Sequence, residues 1–355
     1  MTTARHKLLA GTAAVAMLGL AACGGGSSGG AASTDGGAGA ASGGCDRSEL
    51  KFAYEGPKGT AQEIAANIFE KALEENSDGT FDVAQYPGAQ LGGEPDLLQK
   101  IRAGDIDFII SSTANAASLA PASGVLSLHY LFADQEGVIA AVQDEAVNQA
   151  FVDMTAKSVE GAHPLTLFTL PLRNFYSDAP IRSVDDLEGK KVRVQATETE
   201  DAIFAAYGAQ TVHMAFPELY TALQTGVVNV AENALTYYGL NKHYEVAPVM
   251  SFSEHEANLQ VIWVSDDIWS CLSPEQQDQV TEAAMTVRSE QPAQAFELQD
   301  ELKKKYGDLG VQFVEDVDKE SFQEISVPLQ DELASGLGPD AEAILDAVRT
   351  ATDAG

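Results

Sequence analysis

The sequence predicts an α/β fold of two lobes joined by extended crossing segments, a clamshell, with a long helical segment toward the C-terminus. Three observations predict it. Strand-like and helix-like patterns alternate through the first part of the chain, and the same rhythm repeats in the second part. The helical runs stop at or just before a glycine. A third set then follows, an extended segment at Asn258–Val264 and a long amphipathic run from Pro274 to about Tyr306.

The first lobe opens with Leu50–Tyr54, where Leu50, Phe52 and Tyr54 alternate with polar or small residues. A helix over Thr60–Glu75 carries Ile64, Ile68 and Leu73 on one face, with Gly79 beyond its end. A strand at Phe81–Tyr86, a Gly-rich turn, a helix at Pro95–Ala103 stopped by Gly104 and a strand at Asp107–Ser111 complete the set. In the second lobe, a strand at Leu165–Leu170 leads through a one-turn helix capped by Ser183 to a strand at Lys191–Gln195. Helix Glu200–Tyr207, strand Thr211–Met214, helix Pro217–Gln224 and strand Val227–Ala231 follow. The domain reading is 45–165 for the first part of lobe 1, 166–260 for lobe 2, and 261–355 for a return to lobe 1 with helices spanning both. In such open α/β sheets a ligand sits beyond the carboxyl ends of the strands, here in the cleft between lobes.

The N-terminus indicates export. Arg5, His6 and Lys7 precede an apolar run, Leu8–Leu20, too short to span about 30 Å of hydrocarbon. Leu20-Ala21-Ala22-Cys23 looks like a bacterial lipobox, so residues 1–22 read as a lipoprotein signal and Cys23 as a lipidated anchor. Residues 23–44 are almost wholly Gly, Ala and Ser after that cysteine, a tether without apolar bulk to bury. Cys45 and Cys271 remain in an oxidising compartment, where they form a disulfide or stay as two free thiols. Loss of Arg5 and Lys7 with the signal leaves 19 basic against 53 acidic residues, a net charge of −34. That excludes nucleic acid and anionic lipid surfaces as partners.

Catalytic chemistry is not legible. His255-Glu256-Ala257-Asn258-Leu259 starts like a zinc-protease motif but carries Leu where the second His belongs. There is no Gly-x-Ser-x-Gly elbow, Cys-x-x-Cys pair or phosphate loop, and the six His are scattered. The expectation is a non-enzyme without cofactor or metal.

Several blocks in order carry a family resemblance. They are Gln90-Leu91-Gly92-Gly93-Glu94, Ile181–Val194 (I-R-S-V-D-D-L-E-G-K-K-V-R-V), Met214–Leu223 (M-A-F-P-E-L-Y-T-A-L), Gln224–Ala234 (Q-T-G-V-V-N-V-A-E-N-A) and Trp269–Pro274 (W-S-C-L-S-P). From about Leu50 to Val280 the chain resembles the solute-binding proteins of TRAP transporters, a family with the periplasmic-binding-protein clamshell. The resemblance implies capture of a small organic acid outside the cell membrane and its delivery to the membrane subunits of a TRAP transporter. It also implies that Arg193 pairs with the solute carboxylate, whose two oxygens its planar fork matches; a solvated strand Arg is the plainer alternative. Arg173 takes a second donor position, or an interdomain salt bridge. Phe216 matches an aromatic that packs on the solute carbon skeleton, or a helix-start staple, and Asn233 a donor to the carboxylate, with Glu232 beside it orienting the arginines. Lobe 1 would add Glu55, Glu94 and Ser112 toward solute hydroxyl or amino donors, although Glu94 equally fits a helix cap and Glu55 a solvated loop. Gln195 departs from the usual Pro. The rival functions are the binding protein of an ATP-driven importer, which would lack the R-V and E-N blocks, and a secreted hydrolase, which would need a triad.

Overall fold

A computed structural model describes residues 48–353. The signal segment, Cys23, the tether and Cys45 lie outside the described residues. The first third contains β1 (Glu49–Ala53), α1 (Ala61–Asn76), β2 (Asp82–Tyr86), α2 (Glu94–Arg102), β3 (Phe108–Ser112), α3 (Thr113–Ala116), α4 (Gln135–Gln143) and α5 (Glu145–Thr155). The middle contains β4 (Ala162–Ser177), β5 (Lys191–Val194), α6 (Glu198–Ala206), β6 (Gln210–His213), α7 (Leu219–Thr225), β7 (Val230–Asn233), α8 (Leu235–Leu240) and β8 (Val249–Ser265). Last come α9 (Asp266–Cys271), α10 (Pro274–Asp308), β9 (Gln312–Val314), α11 (Lys319–Ser326), α12 (Gln330–Leu337) and α13 (Pro339–Asp353).

One mixed sheet of nine strands organises these elements, in the order β2-β1-β3-β8-β4-β7-β5-β6 with β9 also on β8. The outer strands run parallel within each half, β2-β1-β3 at one end and β7-β5-β6 at the other. The halves are joined by the antiparallel pair β4 and β8. At about 3.3 Å per residue, a 16-residue β4 reaches roughly 50 Å, long enough to cross both halves. The two α/β half-sheets are the two lobes that the alternation of elements predicts.

Sequence reading found only fragments of the crossing strands, Leu165–Leu170 of β4 and Asn258–Val264 of β8. The reason is local. Pro171 has no N–H for the ladder, and the β4–β8 register slips between Leu170 and Arg173 and again before Phe175. The opposing stretch of β8 is polar, Ser251 to Glu256, with Glu254 at φ 45 in the left-handed region. A polar, bulged stretch gives no period-2 signal, yet Ser253, His255 and Glu256 are all buried.

Smaller shifts matter to the site. The strand expected at Val227–Ala231 lies at Val230–Asn233, so Glu232 and Asn233 are strand residues. It follows a helix end at which Gly226 adopts φ 73 and Val227 donates back to the Ala222 carbonyl at 2.9 Å, a close that favours glycine. Helix α6 starts at Glu198, where the Thr197 side chain accepts from the Glu200 N–H. Further helices form at residues 113–155 and, within the helical return segment, at 319–353.

Cores flank the sheet on both faces. On one face Phe52, Phe69 and Phe108 meet edge-on with centroids 5.0–6.1 Å apart, against α1 and α10. On the other, Leu167, Phe175, Val192, Val194 and Trp263 pack with α4, α5, α6 and α13. The long helix α10 begins with Pro274 and a reciprocal Ser273–Gln276 capping box, and at 1.5 Å per residue it extends about 50 Å. Cys271, at the end of α9, is disulfide-bonded. No helix among the described residues is long and apolar enough to cross a membrane.

Candidate functional site

The parallel strands of both halves end in one place. Glu55 follows β1, Ser112 ends β3, Arg193 lies one residue from the end of β5, and Asn233 ends β7. Pairing registers decide which way these side chains point. Arg193 is opposite Ala231, so alternation puts Arg193 and Asn233 on one face and Glu232 on the other.

Arg193 is 2 % exposed. Its Nε and Nη2 donate to the Met214 carbonyl at 3.1 and 2.8 Å, and its guanidinium carbon lies 5.8 Å from the centre of the Phe216 ring. No carboxylate among the described residues lies within 4 Å of it. Phe216 meets Tyr237 edge-on at 5.7 Å and lies 5.3 Å from His243, so an aromatic wall flanks the cation. Burial, and then the Arg193 charge, lower the His243 imidazole to about 4, so it is neutral at physiological pH.

The first-lobe side is polar. Glu55 accepts from the Glu94 N–H at 3.0 Å, closing the N-terminus of α2. Burial, then the Glu94 charge, push Glu55 up to about 8, against the pull of that hydrogen bond and of Arg193. Glu94 is saturated: one oxygen accepts from the Ser112 N–H at 2.8 Å, the Ser112 hydroxyl at 2.7 Å and Asn115 Nδ2 at 2.7 Å. It fixes the turn after β3 and is not the N-cap of its own helix, a place taken by Gly93. The lobes touch here. Gln195 Nε2 donates to Ser112 Oγ at 2.6 Å, and a Cβ on Gly93 would stand 3.7 Å from Ala215 and 3.6 Å from Pro217.

A second chain of amides lines the floor. Gln62 donates to Gln260 at 2.8 Å, Gln260 to Asn258 at 2.8 Å, and Asn258 to Asn233 at 3.2 Å. Among the described residues Gln195 Oε1 and Thr236 Oγ1 are buried without hydrogen-bond partners, and the buried Tyr237 hydroxyl meets the Thr60 side chain. Sequence reading missed Gln62, Tyr237, Asn258 and Gln260. For the last two a signal existed, polar residues at period two between Ala257, Leu259 and Val261 in a buried strand; for Gln62 and Tyr237 there was none.

Arg173 goes elsewhere. Its Nε and Nη2 engage both oxygens of Glu232, Nη2 also donates to the Glu232 carbonyl at 3.1 Å, and Glu256 Oε2 lies 3.2 Å from Nε. All three residues are at most 3 % exposed. Burial opposes the charged guanidinium, but Glu232 and Glu256 outweigh it and raise its pKa. Thus Arg173 lies with Glu232, on the side of the sheet away from Arg193. Around this pair stand Glu200, pushed up to about 8 by burial and then by the Glu232 charge, and His129, lowered by burial to about 4.

Removing the cation from this cluster should be costly, because it strands buried carboxylates. Arg173→Met is expected to lower stability by about 3–5 kcal/mol, and Arg173→Met/Glu232→Gln to recover a good part of it. Urea denaturation of both variants is the measurement. A loss under about 1 kcal/mol in the single variant would remove the pair from the framework of the fold.

Three comparisons place this arrangement. The chain matches the model of the bacterial extracellular solute-binding protein family 7 over residues 52–336. It is 30 % identical over 288 residues to a solute-binding protein of Chromohalobacter salexigens, covering 81 % of this chain and 84 % of that one. It is 26 % identical to the 2,3-diketo-L-gulonate-binding periplasmic protein of Escherichia coli, over 78 % of this chain and 83 % of the relative. A TRAP periplasmic solute-binding protein from Chromohalobacter salexigens, solved with bound D-glucuronate, superposes with a TM-score of 0.78 at 29 % identity, over 85 % of this chain and 99 % of that structure. The clamshell fold is shared with these proteins, and the chain belongs to family 7 of the bacterial extracellular solute-binding proteins.

Proposed function

We propose that this protein is the lipid-anchored receptor of a TRAP-type transporter, outside the cell membrane, and that it captures a hydroxylated monocarboxylate. One observation carries the reading: Arg193 is a buried guanidinium whose hydrogen bonds go to a single carbonyl oxygen. A buried cation without a counterion is costly, and a bidentate carboxylate is the partner its geometry fits. The remaining groups suit the rest of such a solute. Phe216 offers a face to the carbon skeleton, and Asn233 stands on the Arg193 side of the sheet. Gln195 Oε1 accepts from hydroxyls, Tyr237 Oη both donates and accepts, and a protonated Glu55 donates. The glucuronate and diketogulonate named for relatives are acids of this kind.

Capture proceeds by closure about β4 and β8 at the register slips between Leu170 and Phe175. The solute gains contacts from both lobes only when the cleft is shut, and that differential affinity drives closure. The protein turns over no substrate in this reading.

Arg193→Ala should weaken binding at least tenfold, about 1.4 kcal/mol, and Arg193→Lys should recover little because it lacks the fork. Native mass spectrometry of fresh protein identifies the solute, and calorimetry with D-glucuronate and the identified acid measures the variants. Near-normal affinity in Arg193→Ala overturns the site. The anchor is checked separately: labelled palmitate should enter the parent chain and not Cys23→Ala, which should leave the membrane fraction. We also assign Cys45 as the partner of Cys271. Denatured, unreduced Cys23→Ala protein should then expose no reactive thiol, and two labelled thiols would refute the bridge.

A further inference from the structure

On the sheet face away from Arg193, two imidazoles meet. His129 comes from the segment after β3 and α3, His255 from the bulged stretch of β8, and their ring centroids are 4.6 Å apart. One ring nitrogen of each imidazole and one Glu256 carboxylate oxygen lie within 4.8 Å of one another, and the three residues are 0, 0 and 3 % exposed. Among the described residues neither Nε2 has a hydrogen-bond partner, and Glu256 Oε2 is ion-paired with Arg173 Nε at 3.2 Å. Glu200 adds a fourth donor, its Oε2 at 3.7 Å from His129 Nε2 and fully buried.

We propose that His129, His255 and Glu256, with Glu200, form a binding site for one divalent transition-metal ion, zinc by donor type. Burying two imidazole nitrogens without partners is unfavourable, and converging them on carboxylate oxygens is the arrangement a metal satisfies. The second layer is already built. His129 Nδ1 is 3.1 Å from the Tyr207 hydroxyl and His255 Nδ1 is 2.7 Å from the Ser253 hydroxyl, which leaves both Nε2 atoms turned inward. Formal charge agrees. Glu200, Glu232 and Glu256 face one guanidinium, Arg173, which hydrogen-bonds Glu232 and ion-pairs Glu256, and Glu200 lies in hydrogen-bonding contact with Glu256, so the cluster carries more carboxyl groups than its one cation matches, an excess that a divalent ion would offset. Imidazole ligands select against calcium and magnesium. Zinc bonds of about 2.1 Å set donors roughly 3.4 Å apart in a tetrahedron, so the metal would draw the segment of His129 inward on β8 by about an ångström. Those two elements are already joined by the Tyr130 N–H donating to the His255 carbonyl at 2.7 Å.

The His255-Glu256 pair thus finds its second imidazole in His129, far away in sequence, instead of at Leu259. This site is independent of the solute cleft. For the test, the full-length protein is stripped with a chelator and titrated with Co2+ as a visible probe, then with Zn2+. The expected result is one equivalent of Co2+ with the intense visible bands of a four-coordinate site, displaced by Zn2+ and not by Mg2+. His129→Gln and Glu256→Gln should each weaken Zn2+ binding at least tenfold with the circular dichroism unchanged. Absence of the four-coordinate cobalt spectrum overturns the proposal. So does Zn2+ uptake equal in the parent and in folded His129→Gln, which would locate the metal on surface carboxylates. Should the variants unfold, the cobalt spectrum of the unaltered protein decides.

Discussion

The antiparallel pairing of β4 with β8 is the constraint on which every other placement rests, because both strands belong to both lobes. The parallel strands of each half are built outward from this pair, so their carboxyl ends are brought to the same line across the sheet. Regular pairing over Thr166–Leu170 fixes one half, and Phe175–Ser177 against Val249–Ser251 fixes the other. Between them the ladder is broken by Pro171 and by the left-handed Glu254, whose N–H is taken instead by the Asn174 side chain at 3.0 Å. A non-glycine residue held at positive φ costs on the order of 1–3 kcal/mol. The neighbouring contacts, including the Glu254–Lys319 ion pair, hold it there. The strands therefore stay continuous in chain and discontinuous in hydrogen bonding, which is what a hinge between two rigid half-sheets needs.

That geometry gives the two buried arginines opposite fates. Arg173 sits at the slip itself and is neutralised by Glu232 and Glu256. Arg193, two strands away on the other face, meets only a peptide carbonyl. A hydrogen bond from a charged donor to a carbonyl contributes about 1.5–3 kcal/mol net, whereas two unit charges 4 Å apart at an effective dielectric near 20 attract by about 4 kcal/mol before desolvation. A carboxylate entering the cleft therefore gains more from Arg193 than Met214 does, and it gains nothing from Arg173 that Glu232 has not already taken. Glu232 keeps one cation occupied; no carboxylate among the described residues does so for the other.

Much of this was legible in the sequence, and the losses have physical causes. Regular strands and helices with clean periodicity, such as β1, α1, β5 and α10, lie where their patterns put them. The position of Arg193 followed from Val192-Arg193-Val194 alternation and the strand end. Arg173 was legible as either a ligand donor or a salt-bridge partner, and a one-residue slip in register between Leu170 and Arg173 decides which face it joins; such slips leave no mark in hydrophobic pattern. Glu94 showed the same limit: its type fits both a ligand contact and a local hydrogen-bond acceptor, and only the arrival of Ser112 and Asn115 from the next strand and turn distinguishes them. Tyr237 and Gln62 lie on helices and read as ordinary helix residues. Their importance comes entirely from the tertiary fold.

The charge balance of the chain fits this division of labour. With a net charge of −32 over the whole sequence, the surface as a whole repels an anion. Such repulsion acts through solvent, where it is screened within about 8 Å at physiological ionic strength. Arg193 acts at contact in a site from which water is largely excluded, so its attraction is weakened little by salt. The remaining threat to capture is local, a first-lobe carboxylate facing the solute. Glu94 keeps its charge, but one of its oxygens is turned to Ser112 and Asn115 of its own lobe. Glu55 meets it by burial, which holds its carboxyl near 8 and so largely neutral at pH 7. An acidic protein can in this way offer an anion a cation at contact while one nearby carboxyl is held largely neutral and the other is bound to donors of its own lobe.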